Sequence, residues 1–132
     1  MSAVGIYGNR GDTLLDESAT LGDDFLGRLG QQWEAAADPA RDAGIRVVHP
    51  RLGVVLTAAG GALARMLPAF RAGVAGPLGG GRQWLSWIAI DDALAALSHV
   101  LTDTSLHGPI NVVAPHPVTN AEFTRTLAVA LH

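Results

Sequence analysis

"IRVVHPRLGVVL", residues 45–56, is the stretch that decides the fold. It is rich in β-branched residues and apolar at odd and even positions alike, so an extended chain here has no face suited to water. Such a pattern belongs to a strand inside a parallel sheet, covered by helices on both sides. On its N-terminal side, "DDFLGRLGQQWEAAA" (23–37) sets Phe25, Leu29 and Trp33 at helical spacing behind an acidic start, and Pro39 and Gly44 punctuate its end. On its C-terminal side, "GGALARMLPAF" (60–70) puts Leu63, Met66, Leu67 and Phe70 on one stripe. Pro68 should kink that helix or mark its start.

Further out the alternation continues. "AVGIY" (3–7) reads as a strand end running into the turn-rich "GNRGD". "QWLSWIAI" (83–90) is strand-like, and a helix over about 91–103 follows with Leu94, Leu97 and Leu101 inward. Asp91 and Asp92 read as its caps, favourable with the helix dipole. "PINVVA" (109–114) is a short strand, and a Thr119-to-Glu122 capping box opens a last helix carrying Phe123, Leu127 and Leu131. Strands alternating with helices imply an α/β fold with a mostly parallel sheet flanked by helices. No G-x-G-x-x-G loop occurs, and the first strand has no helix before it. The expected architecture is the second half of a doubly wound, Rossmann-like sheet.

The 132 residues suffice for one domain, and 48% hydrophobic against 16% charged residues argues against disorder. No apolar run nears the ~18 residues of a membrane span. There is no cysteine, and the start has no basic, then apolar, leader, so a reducing cytoplasm is the expected location. The net charge is −3, and all nine basic residues are scattered arginines, which argues against nucleic-acid binding. The absence of lysine excludes any mechanism that needs one. His49, His99, His107, His116 and His132 are dispersed, so no metal site is expected. "RGD" (10–12) reads as a turn.

The blocks "SAVGIYG", "WEAAA", "RLGVVL", "GGALARMLPAFR", "GGGRQWLSWIAIDD" and "NVVAPHPVTNAEFTRTLA" together resemble the nucleotide-sugar-epimerase-like proteins. These are an atypical branch of the extended short-chain dehydrogenase/reductases. The likeness runs from Ser2 to Leu131. It implies an NAD(P)-binding Rossmann fold whose glycine-rich half and small C-terminal domain lie outside this chain. The superfamily's usual chemistry rests on a Tyr-x-x-x-Lys pair, in which the lysine lowers the tyrosine's pKa for proton transfer beside the nicotinamide. Here the only tyrosine, Tyr7, sits in the "YG" block, and Phe25 or Leu26 stands where the pair's tyrosine would be. The catalytic residues are therefore unknown.

The resemblance implies that Ser2, Ala3, Val4, Leu52, Gly53, Val54 and Val55 lie on the cofactor side. Val54 and Val55 also read as plain strand core, and Gly53 as a close approach of a ligand or another backbone. Tyr7, Arg82, Trp84 and Trp87 are the substrate-side candidates. Arg82 would hold a phosphate or carboxylate, or be a solvated loop charge. The tryptophans would line a cleft or pack in the core. Asp91 or Asp92 as a catalytic carboxylate, and Asn120 as a ligand contact, are weaker readings than capping.

Two functions follow: part of an NAD(P)-dependent oxidoreductase or epimerase-like enzyme, or a cofactor-binding sensor or scaffold without turnover. A third, a free-standing interaction domain, would need this half-fold to be stable alone. The expected partners are the other half of the fold, further copies of the chain and an unidentified small-molecule substrate. NADP or NAD is the expected cofactor, bound weakly or not at all by this chain alone.

Overall fold

The structure is a computed structural model and describes residues 1–131; His132 lies outside them. Along the chain run β1 (Ser2–Ala3), a 3-10 helix (Val4–Tyr7), α1 (Phe25–Ala35), α2 (Asp38–Asp42), β2 (Val48–Leu52) and β3 (Val54–Leu56). Then follow α3 (Gly61–Arg71), β4 (Trp84–Leu85), β5 (Trp87–Ala89), α4 (Ile90–Thr102), β6 (Gly108–Val112), β7 (Val118–Thr119) and α5 (Asn120–Leu131). β1, β2 and β6 make a parallel sheet in that order, with Ser2 opposite Arg51 and Arg51 opposite Asn111. β3 pairs in parallel with β5, and β4 pairs antiparallel with β7. This is the expected α/β layering with a mostly parallel sheet.

The apolar run 45–56 is two strands rather than one. The amide of Gly53 donates to the carbonyl of Val112, and that of Val54 to the carbonyl of Ser86. Successive amides thus go to different neighbours, and the chain steps from the β6 side to the β5 side. Glycine is required at the step. A Cβ on Gly53 would lie 2.7 Å from the Ser86 carbonyl oxygen and 3.0 Å from a Val113 methyl. At the other end, only Ser2 and Ala3 of "AVGIY" and its preceding serine are extended, and Val4–Tyr7 winds into the 3-10 helix.

The core joins the two parallel pairs: Ile88, Ala93 and Val112 are buried, with Leu52, Val55, Ala96 and Ile110 packed on them. α3 buries Leu67 and Phe70 as its stripe requires, and Pro68 sits inside the helix instead of starting it. The phase of α4 differs from expectation. Ala93 and Val100 are its buried residues, while Leu94 and Leu101 are 58% and 75% exposed. Its smaller residues let the helix lie close against the sheet; Leu94 and Leu101 point outward, while Leu97 is half-buried.

The same inversion occurs on α1, where Phe25, Leu29 and Trp33 are exposed. Its inner face is glycine. Gly27 is buried, and a Cβ on Gly30 would meet Ile6 at 2.9 Å. The helix ends follow their signals more closely. Asp24 caps α1 by accepting from the Gly27 amide at 2.7 Å. Thr119 and Glu122 form the reciprocal box at α5. Asp91 and Asp92 lie in the first turn of α4, but its cap residue is Ala89 with no side-chain bond. Their contribution is charge at the positive end of the dipole. No helix among the described residues is long and apolar enough to cross a membrane.

Candidate functional site

The parallel strands β1, β2 and β6 end together, and in open α/β sheets the crevice beyond the carboxyl ends of the strands is where ligands bind. Ala3 is exposed at this edge, with Val4 and Leu52 half-buried beside it. Those three offer a small apolar ledge, of which Leu52 also packs on the core. Ser2, Gly53, Val54 and Val55 are placed differently. Val55 belongs to the core, and Gly53 and Val54 are committed to the step between strands. The close approach that requires Gly53 is another backbone. Ser2 is buried, and its hydroxyl donates to a Glu34 oxygen at 2.5 Å.

Tyr7 is not at the surface. Only 3% exposed, it donates its hydroxyl proton to the Asn111 side-chain oxygen at 2.7 Å and accepts from an Arg51 Nη at 2.9 Å. The Arg51 guanidinium also lies 5.1 Å from the Tyr7 ring centroid, a cation–π contact. Arg51 is itself buried and forks onto Glu34, Nε to Oε1 at 2.9 Å and Nη2 to Oε2 at 2.8 Å. Ser2, Glu34, Arg51, Tyr7 and Asn111 thus form one polar chain linking α1 to all three strands.

Burial pushes the Glu34 carboxyl up, but bonds from Arg51 and Ser2 and the Arg51 charge outweigh it and hold the pKa below the usual range. Arg51 is held above its ordinary value chiefly by its bonds to Glu34, against desolvation. Sequence reasoning missed this network. The clue was Arg51, a charge inside a strand bordered by apolar residues, since a buried charge requires a partner.

The remaining candidates lie on the other flank. Arg82 is exposed and makes no hydrogen bond or ion pair among the described residues. Trp84 is 47% exposed and donates its indole N–H to Asp12 Oδ1 at 2.7 Å. Trp87 is half-buried and donates to the His116 carbonyl at 3.1 Å. Asn120 is buried and accepts from the Leu78 amide at 2.7 Å, which fixes the glycine-rich loop before β4. Among the described residues no three His, Cys, Asp or Glu side chains gather as a metal site would need.

A concavity of about 930 Å³ lies elsewhere. It is a wide groove between α1, α2 and the starts of β2 and β6, with Glu34, Arg41, Arg46 and His49 on its walls. Its arginines are already engaged. Arg41 pairs with Asp38, and Arg46 donates to the carbonyls of Val100, Leu101 and Leu106 at the end of α4. We place the candidate site at the strand ends, where the exposed residues have unused surface.

As a test of fit, the ledge of Ala3, Val4 and Leu52 suits one flat apolar ring. A pyrophosphate needs a glycine-rich turn at a helix N-terminus, and no such loop occurs in the sequence. Residues of this chain thus offer apolar contacts at the strand ends and no glycine-rich phosphate grip.

The chain matches no protein-family profile. It is 47% identical over 131 residues to an epimerase family protein of Mycobacterium bovis, covering 99% of this chain and 44% of that protein. Against the human epimerase family protein the identity is 47% over 117 residues, with 88% and 40% covered. Among solved structures, the human protein, crystallised with NADPH, superposes with a TM-score of 0.90 at 41% identity over 98% of this chain and 44% of that one. A nucleoside-diphosphate sugar epimerase of Corynebacterium glutamicum gives 0.88 at 46% identity, with 98% and 28% covered. The chain thus spans less than half the length of these relatives. In sequence and in fold, the chain is similar to part of the epimerase family proteins.

Proposed function

We propose that this chain is the substrate-side part of an NAD(P)-dependent oxidoreductase of nucleotide-sugar-epimerase type. The observation that carries this reading is the common end of the parallel strands β1, β2 and β6, with an apolar edge of exposed Ala3 and half-buried Val4 and Leu52. In this reading the edge lies along the nicotinamide, and Trp84, Trp87 and Arg82 face the substrate from the β4–β5 flank. The open outer edge of β1 and the outward stripes of α1 and α4 receive the rest of a relative-length fold, which supplies the phosphate grip. When bound, the cofactor provides hydride chemistry. This chain's own residues bind, orient and exclude water.

A second reading, a cofactor-binding sensor or scaffold without turnover, is favoured by one observation. The only tyrosine is buried with its hydroxyl committed on both sides, and no lysine is present. The usual proton relay therefore has no members here.

Fusing the chain to the glycine-rich portion of the Corynebacterium relative would test both readings. The first predicts NADPH binding together with cofactor turnover against carbonyl compounds or sugar nucleotides. Binding without turnover supports the second, and no binding overturns both.

A further inference from the structure

The segment between Gly8 and Gly22 has the anatomy of a hinged cover. Its two ends touch. The Gly22 amide donates to the Ile6 carbonyl at 2.8 Å, and a Cβ on Gly22 would fall 2.8 Å from the Gly8 nitrogen. Gly8 adopts φ +69°, which an L side chain disfavours. A surface loop of this length with its ends pinched together is an Ω-loop, a class often tied to function.

The neck is closed from inside by Arg10, which donates to the carbonyls of Tyr7, Thr20 and Leu21 at 3.0–3.2 Å. The body carries its own turns: the Thr13 amide bonds to the Arg10 carbonyl, and the Ala19 amide to the Asp16 carbonyl. Asp16 also holds the Ser18 amide and hydroxyl.

By contrast, the loop body is held to the rest of the molecule by little. Leu14 is 89% exposed, and within 9–21 only Leu15, Ala19 and Leu21 are even half-buried. Two side-chain bonds span the gap. Asp12 accepts from the Trp84 indole N–H on β4 at 2.7 Å, and Glu17 accepts from the Asn111 amide on β6 at 2.6 Å. The loop leaves from the 3-10 helix that follows β1 and is tied to β6 and β4.

We propose that residues 9–21 form a cover that swings as one body about the Gly8/Gly22 neck, held shut by the Asp12–Trp84 and Glu17–Asn111 latches. A segment with internal bonds but few buried apolar anchors is the kind that opens locally without unfolding the protein. Opening frees the Trp84 and Asn111 N–H groups for a molecule at the strand ends. That role rests on the strand-end site proposed above, whereas the motion itself does not.

The test therefore needs no ligand. It breaks one latch and reads the other by residue-resolved hydrogen exchange on the chain. With Asp12→Ala, the Asn111 amide should exchange about fivefold faster or more, although its own acceptor Glu17 is unchanged. With Glu17→Ala, the Trp84 indole N–H should accelerate likewise. In both variants the Thr13, Ala19 and Gly22 amides should keep their wild-type rates. Unchanged exchange at the distant latch would overturn the proposal, because the latches would then be independent. Acceleration at Thr13, Ala19 and Gly22 would overturn it too, because the loop would then unravel rather than swing.

Discussion

Arg51 and Glu34 show how one pair decides local behaviour. Both are largely removed from water, so the partner left after truncation is a buried charge without compensation. Glu34→Ala should cost about 3–5 kcal/mol in urea unfolding. The pH dependence follows from the sign of the shift. The Glu34 pKa is lower in the fold than the ordinary value of 4.5. Its contribution is fully present above that value and is lost as pH falls through the depressed folded value. Glu34→Gln should accordingly flatten the acid limb of the stability profile. An unchanged acid limb would mean the pair is not coupled to folding. Gly53 is decided by space alone: Gly53→Ala must push aside the Ser86 carbonyl or the Val113 methyl. We expect a loss of about 1–3 kcal/mol, typical of overpacking, measurable by thermal or urea unfolding.

Among the elements, α5 is the clearest case of sequence dictating structure. The Thr119–Glu122 spacing predicts a reciprocal box, and both bonds form. Thr119→Ala should therefore cost about 1 kcal/mol, and an unchanged unfolding midpoint would deny the cap any role. The existence of α1, α3, α4 and α5 was legible, though not that of the short α2, because apolar periodicity records that a helix has a greasy face. What periodicity does not record is which surface meets that face. On α1 the glycines at 27 and 30 allow contact closer than any side chain permits, so they turn inward and Phe25, Leu29 and Trp33 turn out. On α4, Ala93 and Val100 do the same and leave Leu94 and Leu101 outside. Ala3, Val4 and Leu52 do lie together near the strand ends, as strand periodicity and order suggest. The place of Tyr7 was not legible, because its burial depends on Arg51 and Asn111, residues 44 and 104 positions away.

The outward stripes matter most for the molecule as a whole. Phe25, Leu26, Leu29 and Trp33 on α1, with Leu94 and Leu101 on α4, are large apolar residues exposed on helices that border the sheet. Exposed apolar surface of this kind drives association. The chain should self-associate in sedimentation at high concentration, and a Phe25→Ser/Leu29→Ser/Trp33→Ser variant should be displaced toward monomer with unfolding stability little changed. A clean monomer for the parent chain would contradict that expectation.

The central claim is that this chain holds the ring-side edge of a cofactor site without the phosphate grip. Charge-assisted hydrogen bonds to phosphate contribute roughly 1.5–3 kcal/mol each, so lacking three of them weakens binding by several powers of ten. Calorimetric titration of the isolated chain with NADPH measures this directly. A dissociation constant of about 1 mM or weaker is the predicted result, and micromolar affinity would contradict the account.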